Sequence, residues 1–395
     1  MLKHIEKLKN IATAPERLVI GLMSGTSLDG LDIALCRIAG NGKSATLRCE
    51  EFTTVGYSKE LKSAIQQVFA KQSVSLDSLC LLNAQIGHLH GEMINQALLN
   101  WKISNDSVDL IASHGQTIYH RPSSLHQIKN QPNSTLQIGD GDHIAAITGI
   151  ITVSDFRQKH IAHGGEGAPL AIYGDYLLLS SEQENRTLLN IGGIANITYL
   201  PSNASFDKAI CSDTGPGNTL MDALARKYSD YDFDKDANIA KQGSVNKSLL
   251  TQLLQHPFII LSLPKTTGPE TFNLDWFASQ LKAVHLEDLS VPNQMATLNA
   301  FTAHSIVNKI NQLPELSTVY ISGGGIHNPL LLDNISEFLA RPVFSTNKLG
   351  VNTDAKEAIL FAVIANECVA GNARAFLNNK SNQPNVSMGK VSFPS

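Results

Sequence analysis

The sequence lacks the charge excess that is typical of proteins that bind nucleic acids or acidic membrane surfaces. Its 395 residues carry a formal net charge of -4, with 31 Lys and Arg against 35 Asp and Glu. A chain that is close to neutral and slightly acidic has no long-range field to attract a polyanion. The composition therefore excludes an electrostatically driven nucleic-acid or membrane-surface role.

Paired metal or disulfide ligands are also absent. The five cysteines are scattered, odd in number and form no C-x-x-C motif, which argues against structural zinc and against a disulfide framework. Most of them lie in apolar runs, as reduced core residues of a cytosolic protein do. His88 and His90 form an H-x-H pair on a predicted helix, where they point to different faces. We expect two solvent-facing histidines there, not a metal site.

No hydrophobic run is long enough to span a bilayer, which takes about 18 to 20 apolar residues. The amino-terminal stretch has no apolar region of the kind found in secretory signals. Apolar residues instead recur at helical spacing between Leu2 and Ile11, which predicts a short amphipathic helix that Pro15 ends. We expect an unexported, cytoplasmic protein.

The common nucleotide-binding motifs are missing. Gly42, Lys43 and Ser44 resemble the end of a P-loop, but Arg37 stands where its first glycine is required. No predicted strand leads into G-x-G-x-x-G, and the H-R-D and D-F-G signatures of protein kinases are absent. Any phosphate site must therefore be sought in other loops.

Two tandem α/β units account for the length, which is too great for one ordinary core. Residues 17–38 read as strand, Gly/Ser/Thr/Asp loop and strand, and residues 186–200 repeat the pattern around a second glycine-rich break. A polar run at residues 180–186 marks the boundary. The pattern predicts an α/β fold with two domains and mixed sheets.

The first glycine-rich loop is a candidate phosphate site. Its glycines let the backbone approach a ligand closely, and successive N–H groups and hydroxyls can bind an anion. Two acids beside such a site are compatible with phosphate if hydrated Mg²⁺ lies between them. The candidate nucleotide-binding residues are Gly25, Thr26, Ser27, Leu28, Asp29, Gly30 and Asp32.

Three further loops lie at predicted strand ends in the second half. The first two are a glycine turn flanked by amides and a D-T-G-P-G-N segment that places an acid before a helix N-terminus, a natural anion or Mg²⁺-water site. The third is a triple-glycine loop that suits a flat base or a ribose. Their candidate residues are Asn190, Gly192, Gly193, Asn196, Asp213, Gly323, Gly324, Gly325 and Asn328.

A third group of polar residues lies in the first half, between Ser113 and Pro169. It mixes neutral hydrogen-bonding groups, acids and two arginines, which suits a polyhydroxylated ligand with a carboxylate that Arg binds in bidentate fashion. The candidate sugar-binding residues are His114, Gln116, Thr117, Arg121, Asp140 and Arg157. The candidate catalytic residues are Asp155, His160 and Glu166.

In these motifs the chain resembles the anhydro-N-acetylmuramic acid kinase family. The motifs occur in the same order along nearly the whole chain, and they are GLMSGTSLDGLD, SHGQT with HRP, LQIGD, DFR with GG-x-GAPL, LNIGGIANIT, DTGPGN and SGGG-x-x-N. The resemblance implies two RNase-H-like domains of the actin/hexokinase type with an ATP cleft between them. Residues 1–182 would form one domain and 183–369 the other, with residues 370–395 able to pack back on the first.

The resemblance also implies a reaction. ATP phosphorylates the 6-oxygen of 1,6-anhydro-N-acetylmuramic acid while water opens the anhydro bridge, and N-acetylmuramic acid 6-phosphate enters cell-wall recycling. The loops at residues 25–32, 190–196 and 213–218 would hold the phosphates and Mg²⁺, with Asp29 and Asp213 acting through water. Residues 323–328 would hold adenosine. The family further implies a homodimer.

Two positions depart from the family pattern. The family runs D-F-R-x-x-D and uses the second aspartate as the base that activates water, whereas this chain has His160 there. Glu166 stands where the family has Gln. A neutral imidazole can act as a base above its ordinary pKa of about 6.5, and Glu166 can be the base itself or can orient His160. A kinase of another anhydrosugar, such as levoglucosan, and a weakened nucleotide-binding regulator remain as alternatives.

Overall fold

The structure is a computed structural model that describes residues 1–25, 28–268, 271–371 and 386–395. Contacts between its residues divide the chain into two compact units. The first unit comprises Met1–Leu179, Ser205–Asp207 and Ala355–Ser395, and the second comprises Ser180–Ala204 and Lys208–Asp354. Thr26 and Ser27, two of the predicted nucleotide-binding residues, lie outside the described residues.

The described residues form an α/β structure. The strands are β1 (Glu16–Ser24), β2 (Gly30–Ala39), β3 (Thr46–Gly56), β4 (Leu110–Arg121), β5 (Ser134–Ile138), β6 (Thr152–Ser154), β7 (Arg186–Ile191), β8 (Ile194–Leu200), β9 (Ile210–Pro216), β10 (Thr318–Ser322), β11 (Val343–Ser345) and β12 (Lys390–Ser392). The helices are α1 (Leu2–Thr13), α2 (Lys59–Val68), α3 (Leu76–Trp101), α4 (Ser123–His126), α5 (Gly141–Thr148), α6 (Phe156–Ala162), α7 (Ala171–Leu179), α8 (Thr219–Tyr228), α9 (Lys247–Leu254), α10 (Pro257–Ile260), α11 (Leu274–Ala283), α12 (Val291–Ile310), α13 (Pro329–Leu339) and α14 (Lys356–Ala370).

The sheet of the first unit has the order β12-β6-β4-β1-β2-β3, with β5 paired to β4. The β1–β2 and β2–β3 pairs are antiparallel, whereas β4 runs parallel to both β1 and β6. The central strand β1 is almost wholly buried because its apolar residues face helices on both sides. The strand ends at Ser24, which pairs with Gln116 of the parallel strand β4.

The sheet of the second unit repeats this plan in the order β11-β10-β7-β8-β9. Again the first three strands in sequence are antiparallel neighbours, and two further strands add in parallel beside the first. Three antiparallel strands followed by two parallel ones is the arrangement of RNase-H-like domains. The predicted α/β fold with two mixed sheets is confirmed.

Helix α14 packs on the sheet of the first unit, against β1, β2 and β4. Most of its residues are apolar and buried, and the polar residues Lys356, Asn366 and Glu367 are buried with them. Gly21 of β1 allows the close approach, since a side chain there would collide with the backbone of Ala358. The sequence pattern had assigned residues up to 369 to the second domain, whereas these contacts group Ala355–Ser395 with the first unit.

Two strands and two helices carry the third group of polar residues. Strand β4 continues without a break to Arg121. Residues 156–162 form helix α6, and α7 begins at Ala171, two residues after Pro169. None of the described helices is long and apolar enough to cross a bilayer.

Candidate active site

The β1–β2 hairpin holds the first loop by its two ends. Ser24 is buried, Gly25 is partly exposed and Asp29 is exposed. The amide of Leu28 donates a 3.4 Å hydrogen bond to the Gly25 carbonyl, and Leu28 has a left-handed φ of 60°.

Leu28 and Gly30, two of the predicted nucleotide-binding residues of this hairpin, also have structural roles. The Leu28 side chain is buried in the core of the first unit, so only its backbone can face a ligand. A side chain at Gly30 would collide with the backbone of Val55, so this glycine is required by the pairing of β2 with β3. Asp32 lies on the partly exposed face of β2, where its carboxylate accepts a 2.6 Å hydrogen bond from the hydroxyl of Thr54.

In the second unit, three predicted polar residues line up across three adjacent strands. Asn190 of β7 pairs with Asn196 of β8, and Asn196 pairs with Asp213 of β9. All three are half-buried at the same end of the sheet. One carboxylate oxygen of Asp213 accepts a 2.8 Å bond from the amide of Thr267. The structure thus brings together residues that are up to 23 positions apart in sequence.

The Gly192-Gly193 turn between β7 and β8 is held by backbone groups at the start of α8. The amide of Gly217 donates to the Gly193 carbonyl at 2.8 Å, and the amide of Asn218 donates to the Gly192 carbonyl at 2.9 Å. The Thr219 hydroxyl adds a 2.7 Å bond to the Gly193 carbonyl. These bonds fix the turn against the positive end of a helix, a favourable place for an anion.

The triple glycine follows β10, the strand next to β7. Gly323 has a φ of 82°, and a side chain on it would meet the Asn190 carboxamide. Gly325 is buried against Ile191 in the same way. Asn328, which was predicted to bind adenosine, accepts a 3.0 Å bond from the Leu331 amide and caps α13. Gly324 is left facing outward, with no atom closer than 3.7 Å to where its side chain would start.

His114 and Arg157 form the polar centre of the predicted sugar site. The Arg157 Nε donates to His114 Nε2 at 2.9 Å, so the histidine is neutral and its proton lies on Nδ1, which donates to the Gly115 carbonyl at 2.8 Å. Burial and the adjacent Arg157 charge hold the pKa of His114 well below its usual value. Burial lowers the pKa of Arg157 to about 10, so the guanidinium stays charged at neutral pH. His114 thereby fixes the orientation of the Arg157 guanidinium.

The other predicted sugar-binding residues are used differently. The carboxamide of Gln116 is buried and is bonded to Ser24 and to the carbonyls of Gly25 and Thr117, so it points into the protein. Asp140 caps α5 through a 2.8 Å bond from the Asp142 amide. Thr117 and Arg121 remain partly exposed on β4. Arg121 donates to the Tyr119 hydroxyl at 3.2 Å, and Thr117 accepts from Gln137 at 3.3 Å.

His160 is buried on α6, and both of its ring nitrogens have partners inside the protein. The Gly167 amide donates to Nδ1 at 2.9 Å, so Nε2 carries the proton and lies 3.0 Å from the Tyr173 hydroxyl. Burial, with the charge of Arg157 adding to it, lowers the pKa of His160 to about 4. A nitrogen that already accepts a backbone bond has no lone pair left to take a proton from water. This geometry favours a role in holding the loop at residues 164–167.

Glu166 lies on that loop, between two residues that His160 holds. The Gly165 amide donates to the His160 carbonyl at 3.0 Å, and the Gly167 amide donates to the His160 ring. Glu166 itself is half-buried, while its neighbours Gly165 and Gly167 are buried. The third candidate, Asp155, begins α6, and its carboxylate is paired with Lys390 of β12.

Sequence reasoning missed Glu357 and misplaced His90. Glu357 lies at the start of α14, where burial and the nearby Asp32 and Asp175 carboxylates raise its pKa while Lys356 and Arg157 oppose the rise. The helix has only three charged residues, Lys356, Glu357 and Glu367, and charges in an otherwise apolar helix were the available signal. His90 was expected to face solvent but is buried, with Nε2 2.7 Å from the Tyr57 hydroxyl. His88 is exposed, as expected.

Among the described residues no three His, Cys, Asp or Glu side chains form a ready-made metal cage. Mg²⁺ in nucleotide sites is usually held by one or two carboxylates, water and the phosphates themselves. Asp29 in the first unit and Asp213 in the second are single acids of this kind beside glycine turns. The donor set in each unit therefore fits a magnesium ion that arrives with a nucleotide, and it does not fit a resident structural metal.

A family profile described as anhydro-N-acetylmuramic acid kinase matches residues 17–392. The chain is 52% identical to the anhydro-N-acetylmuramic acid kinase of Pseudoalteromonas atlantica over 401 residues, covering all of both chains. It is 37% identical to that of Caldanaerobacter subterraneus subsp. tengcongensis over 396 residues, covering 98% of this chain and 100% of the relative.

Among solved structures, the activator of the 2-hydroxyisocaproyl-CoA dehydratase from Clostridium difficile with bound ADPNP is similar at 10% identity, with a TM-score of 0.45, over 92% of this chain and 99% of that one. The resemblance read from the motifs is confirmed by the profile and by the relatives, which extend over the whole chain. The chain belongs to the anhydro-N-acetylmuramic acid kinase family.

Proposed function

We propose that the protein is an ATP-dependent sugar kinase that converts 1,6-anhydro-N-acetylmuramic acid into N-acetylmuramic acid 6-phosphate. The observation that carries the proposal is the family match over residues 17–392, together with 52% identity to a relative of that name. Arg157 also supports the proposal. Its guanidinium is oriented by the neutral His114 ring, and a guanidinium suits the carboxylate or phosphate of such substrates. We place the reaction in the cytoplasm, where ATP is available.

In this proposal the glycine turns bind the ATP phosphates. The loop at residues 25–29 and the turn at Gly192-Gly193 each offer backbone N–H groups to an anion. Asp29 of the first unit and Asp213 of the second are each a candidate to hold Mg²⁺ through water, and Mg²⁺ would neutralise charge on the phosphates. The triple-glycine segment at residues 323–325 would pack against the adenosine.

We assign the general base to Glu166. The base takes a proton from a water molecule whose oxygen bonds to the anomeric carbon, and the bond from that carbon to the 6-oxygen breaks. The freed 6-oxygen then takes the γ-phosphoryl group, and ADP leaves. A positioned base typically contributes about 10²–10⁴-fold to such a step. His160 has both ring nitrogens engaged and Asp155 is paired with Lys390, whereas Glu166 is half-buried on a held loop.

The experiment is a kinase assay with 1,6-anhydro-N-acetylmuramic acid and Mg-ATP, read by the mass of the product. We expect the mass of the sugar plus one phosphoryl group and one water, because the ring opens. Levoglucosan, which lacks the lactyl carboxylate, is the matched second substrate. Equal turnover of both sugars would move the proposal to a general anhydrosugar kinase. Nucleotide-stabilised melting without any sugar phosphate between pH 6 and 9 would replace it with a regulatory binding protein.

A further inference from the structure

A buried chain of four polar side chains runs beneath the first loop. It links His90 of α3, Tyr57 at the end of β3, Ser24 at the end of β1 and Gln116 of β4. Their exposed fractions are 1%, 6%, 2% and 0%, so water does not compete for their hydrogen bonds. A buried polar chain of this kind specifies one arrangement of its members, because each unmade bond is costly.

The direction of every bond in the chain can be assigned. The Gln116 amide nitrogen donates to the carbonyls of Gly25 and Thr117, both at 3.3 Å, so its oxygen must accept the bond from the Ser24 hydroxyl. The Ser24 oxygen in turn accepts the Tyr57 proton at 2.8 Å. The Tyr57 oxygen, its only proton spent, accepts from His90 Nε2 at 2.7 Å.

His90 closes the chain as a neutral donor. Burial lowers its pKa to about 4. Its other ring nitrogen, Nδ1, is buried and has no hydrogen-bond partner among the described residues, so the ring contributes a single bond, to Tyr57. The two rings are also nearly parallel, with centroids 6.1 Å apart. A buried histidine kept at this cost fixes the orientation of the tyrosine hydroxyl.

Tyr57 touches both ends of the first loop. Its hydroxyl bonds to Ser24, which precedes Gly25, and its amide donates to the Asp29 carbonyl at 3.2 Å. Ser24 and Gln116 are register partners of β1 and β4, and the β1–β4 ladder shifts register just before them. The chain of bonds therefore joins the predicted phosphate loop to the strand that carries His114 and Thr117.

We propose that the His90–Tyr57–Ser24–Gln116 chain is a positioning device that sets the phosphate loop relative to the sugar-binding strand β4, with Tyr57 as its central positioning residue. This inference rests on the proposed kinase function. Ser24 and Gln116 contact the loop directly at Gly25, because Ser24 precedes it and Gln116 donates to its carbonyl. The side chains of Tyr57 and His90 influence the loop through Ser24 and Gln116. Substitution at Tyr57 should therefore disturb catalysis more than folding, because phosphoryl transfer depends mainly on the alignment of its groups.

The test is Tyr57→Phe, which keeps the ring and the backbone bond to Asp29 but removes the oxygen between Ser24 and His90. We expect kcat to fall roughly 10- to 100-fold and the melting shift produced by Mg-ATP to shrink. The control is Tyr199→Phe, a buried tyrosine of β8 in the second unit, for which both readouts should stay within about twofold of wild type. His90→Gln, which retains a donor, should keep more activity than His90→Leu.

If Tyr57→Phe and His90→Leu lower the melting temperature but leave kcat and KM for both substrates within twofold, the chain is only structural and the proposal is overturned. Should Tyr57→Phe fail to fold, Ser24→Ala carries the same prediction. A wild-type protein that does not phosphorylate the sugar would refute the proposed function instead. The positioning proposal would then be decided by the Mg-ATP melting shift, which requires no turnover.

Discussion

The first loop and the Gly192-Gly193 turn occupy equivalent places in two sheets of the same strand order, yet they are held by different groups. In the first unit buried side chains hold the loop, through Ser24, Tyr57 and Gln116. In the second unit the turn is held mainly by the amides of Gly217 and Asn218, with one further bond from the Thr219 hydroxyl. A side-chain scaffold is sensitive to the identity of each residue, whereas a backbone scaffold is sensitive only to changes that displace the main chain.

The largest expected effect belongs to the side-chain-built first unit and concerns Glu166. Glu166→Gln removes the proposed base but keeps the shape, so we expect turnover to fall by about 10²–10⁴-fold while Mg-ATP still raises the melting temperature. His160→Asn is the comparison, because its oxygen can still accept the Gly167 amide; we expect a loss below about tenfold. Steady-state kinetics with both variants would reveal the reverse order if His160 were the base.

Gly217→Ala challenges the backbone-built turn of the second unit. A side chain at Gly217 would collide with the carbonyls of Gly192 and Gly193. We expect kcat/KM for ATP to fall roughly 10- to 100-fold, since a displacement of about 1 Å can have that effect. Gly56→Ala in β3 is the control, because its new atom would come no closer than 3.8 Å to any other. Similar losses in both variants would mean a general intolerance of alanine.

Acid should loosen the first unit before the second. Burial lowers the pKa values of His90, His120 and His160 to about 4, whereas the unfolded chain titrates near 6.5. Above pH 6.5 these rings are neutral in both states and cost the protein no stability. As the pH falls toward 4 the free energy of unfolding decreases, because the unfolded state binds protons first. At pH 5 the loss is about 2 kcal/mol per histidine.

The two tryptophans report this difference, since Trp101 lies in the first unit and Trp276 in the second. Urea titrations of Trp276→Phe and Trp101→Phe at pH 7.5 and 5.0 would follow each unit separately. Between pH 7.5 and 5.0, the urea concentration at the midpoint of unfolding should fall more for the Trp101 signal than for the Trp276 signal. His256 and His304 of the second unit also have pKa values lowered by burial, so that unit should lose some stability in acid as well. Equal shifts in both signals would contradict the prediction.

The smallest expected effect concerns the pair of Asp155 with Lys390. Both side chains are partly exposed, and such pairs contribute about 0–1 kcal/mol. Lys390→Gln should therefore change the free energy of unfolding by less than about 1 kcal/mol and leave turnover within about threefold, as measured by urea unfolding and steady-state assays. A large gain or loss of activity would instead implicate the Asp155 carboxylate in the reaction.

The family, the α/β class and the order of the strands around each glycine turn could be read from the sequence. Apolar strand patterns and glycine breaks are local features, and RTLLNIGGIANITYL shows them within fifteen residues. The row formed by Asn190, Asn196 and Asp213 was also accessible, because residues at the same end of adjacent strands come together. The homodimer stays a prediction of the resemblance.

The direction in which a side chain points was less accessible. Gln116 is a residue type that often binds ligands, yet its carboxamide points inward, where its oxygen accepts a hydrogen bond from the Ser24 hydroxyl, 92 positions away. His90 occupies a helix whose two faces look alike in sequence, and it is buried where its ring meets the Tyr57 hydroxyl. Pairings of this kind depend on long-range contacts that no local pattern encodes.

By itself, the sequence determined which family the chain belongs to, where its glycine turns lie and which residues depart from the family at positions 160 and 166. Only the tertiary structure decided what surrounds these two residues. The Gly167 amide and the Tyr173 hydroxyl occupy the two nitrogens of His160, and the loop that they hold presents Glu166. The physical reason is that a base needs a free lone pair, and whether one is free depends on neighbours brought together by folding.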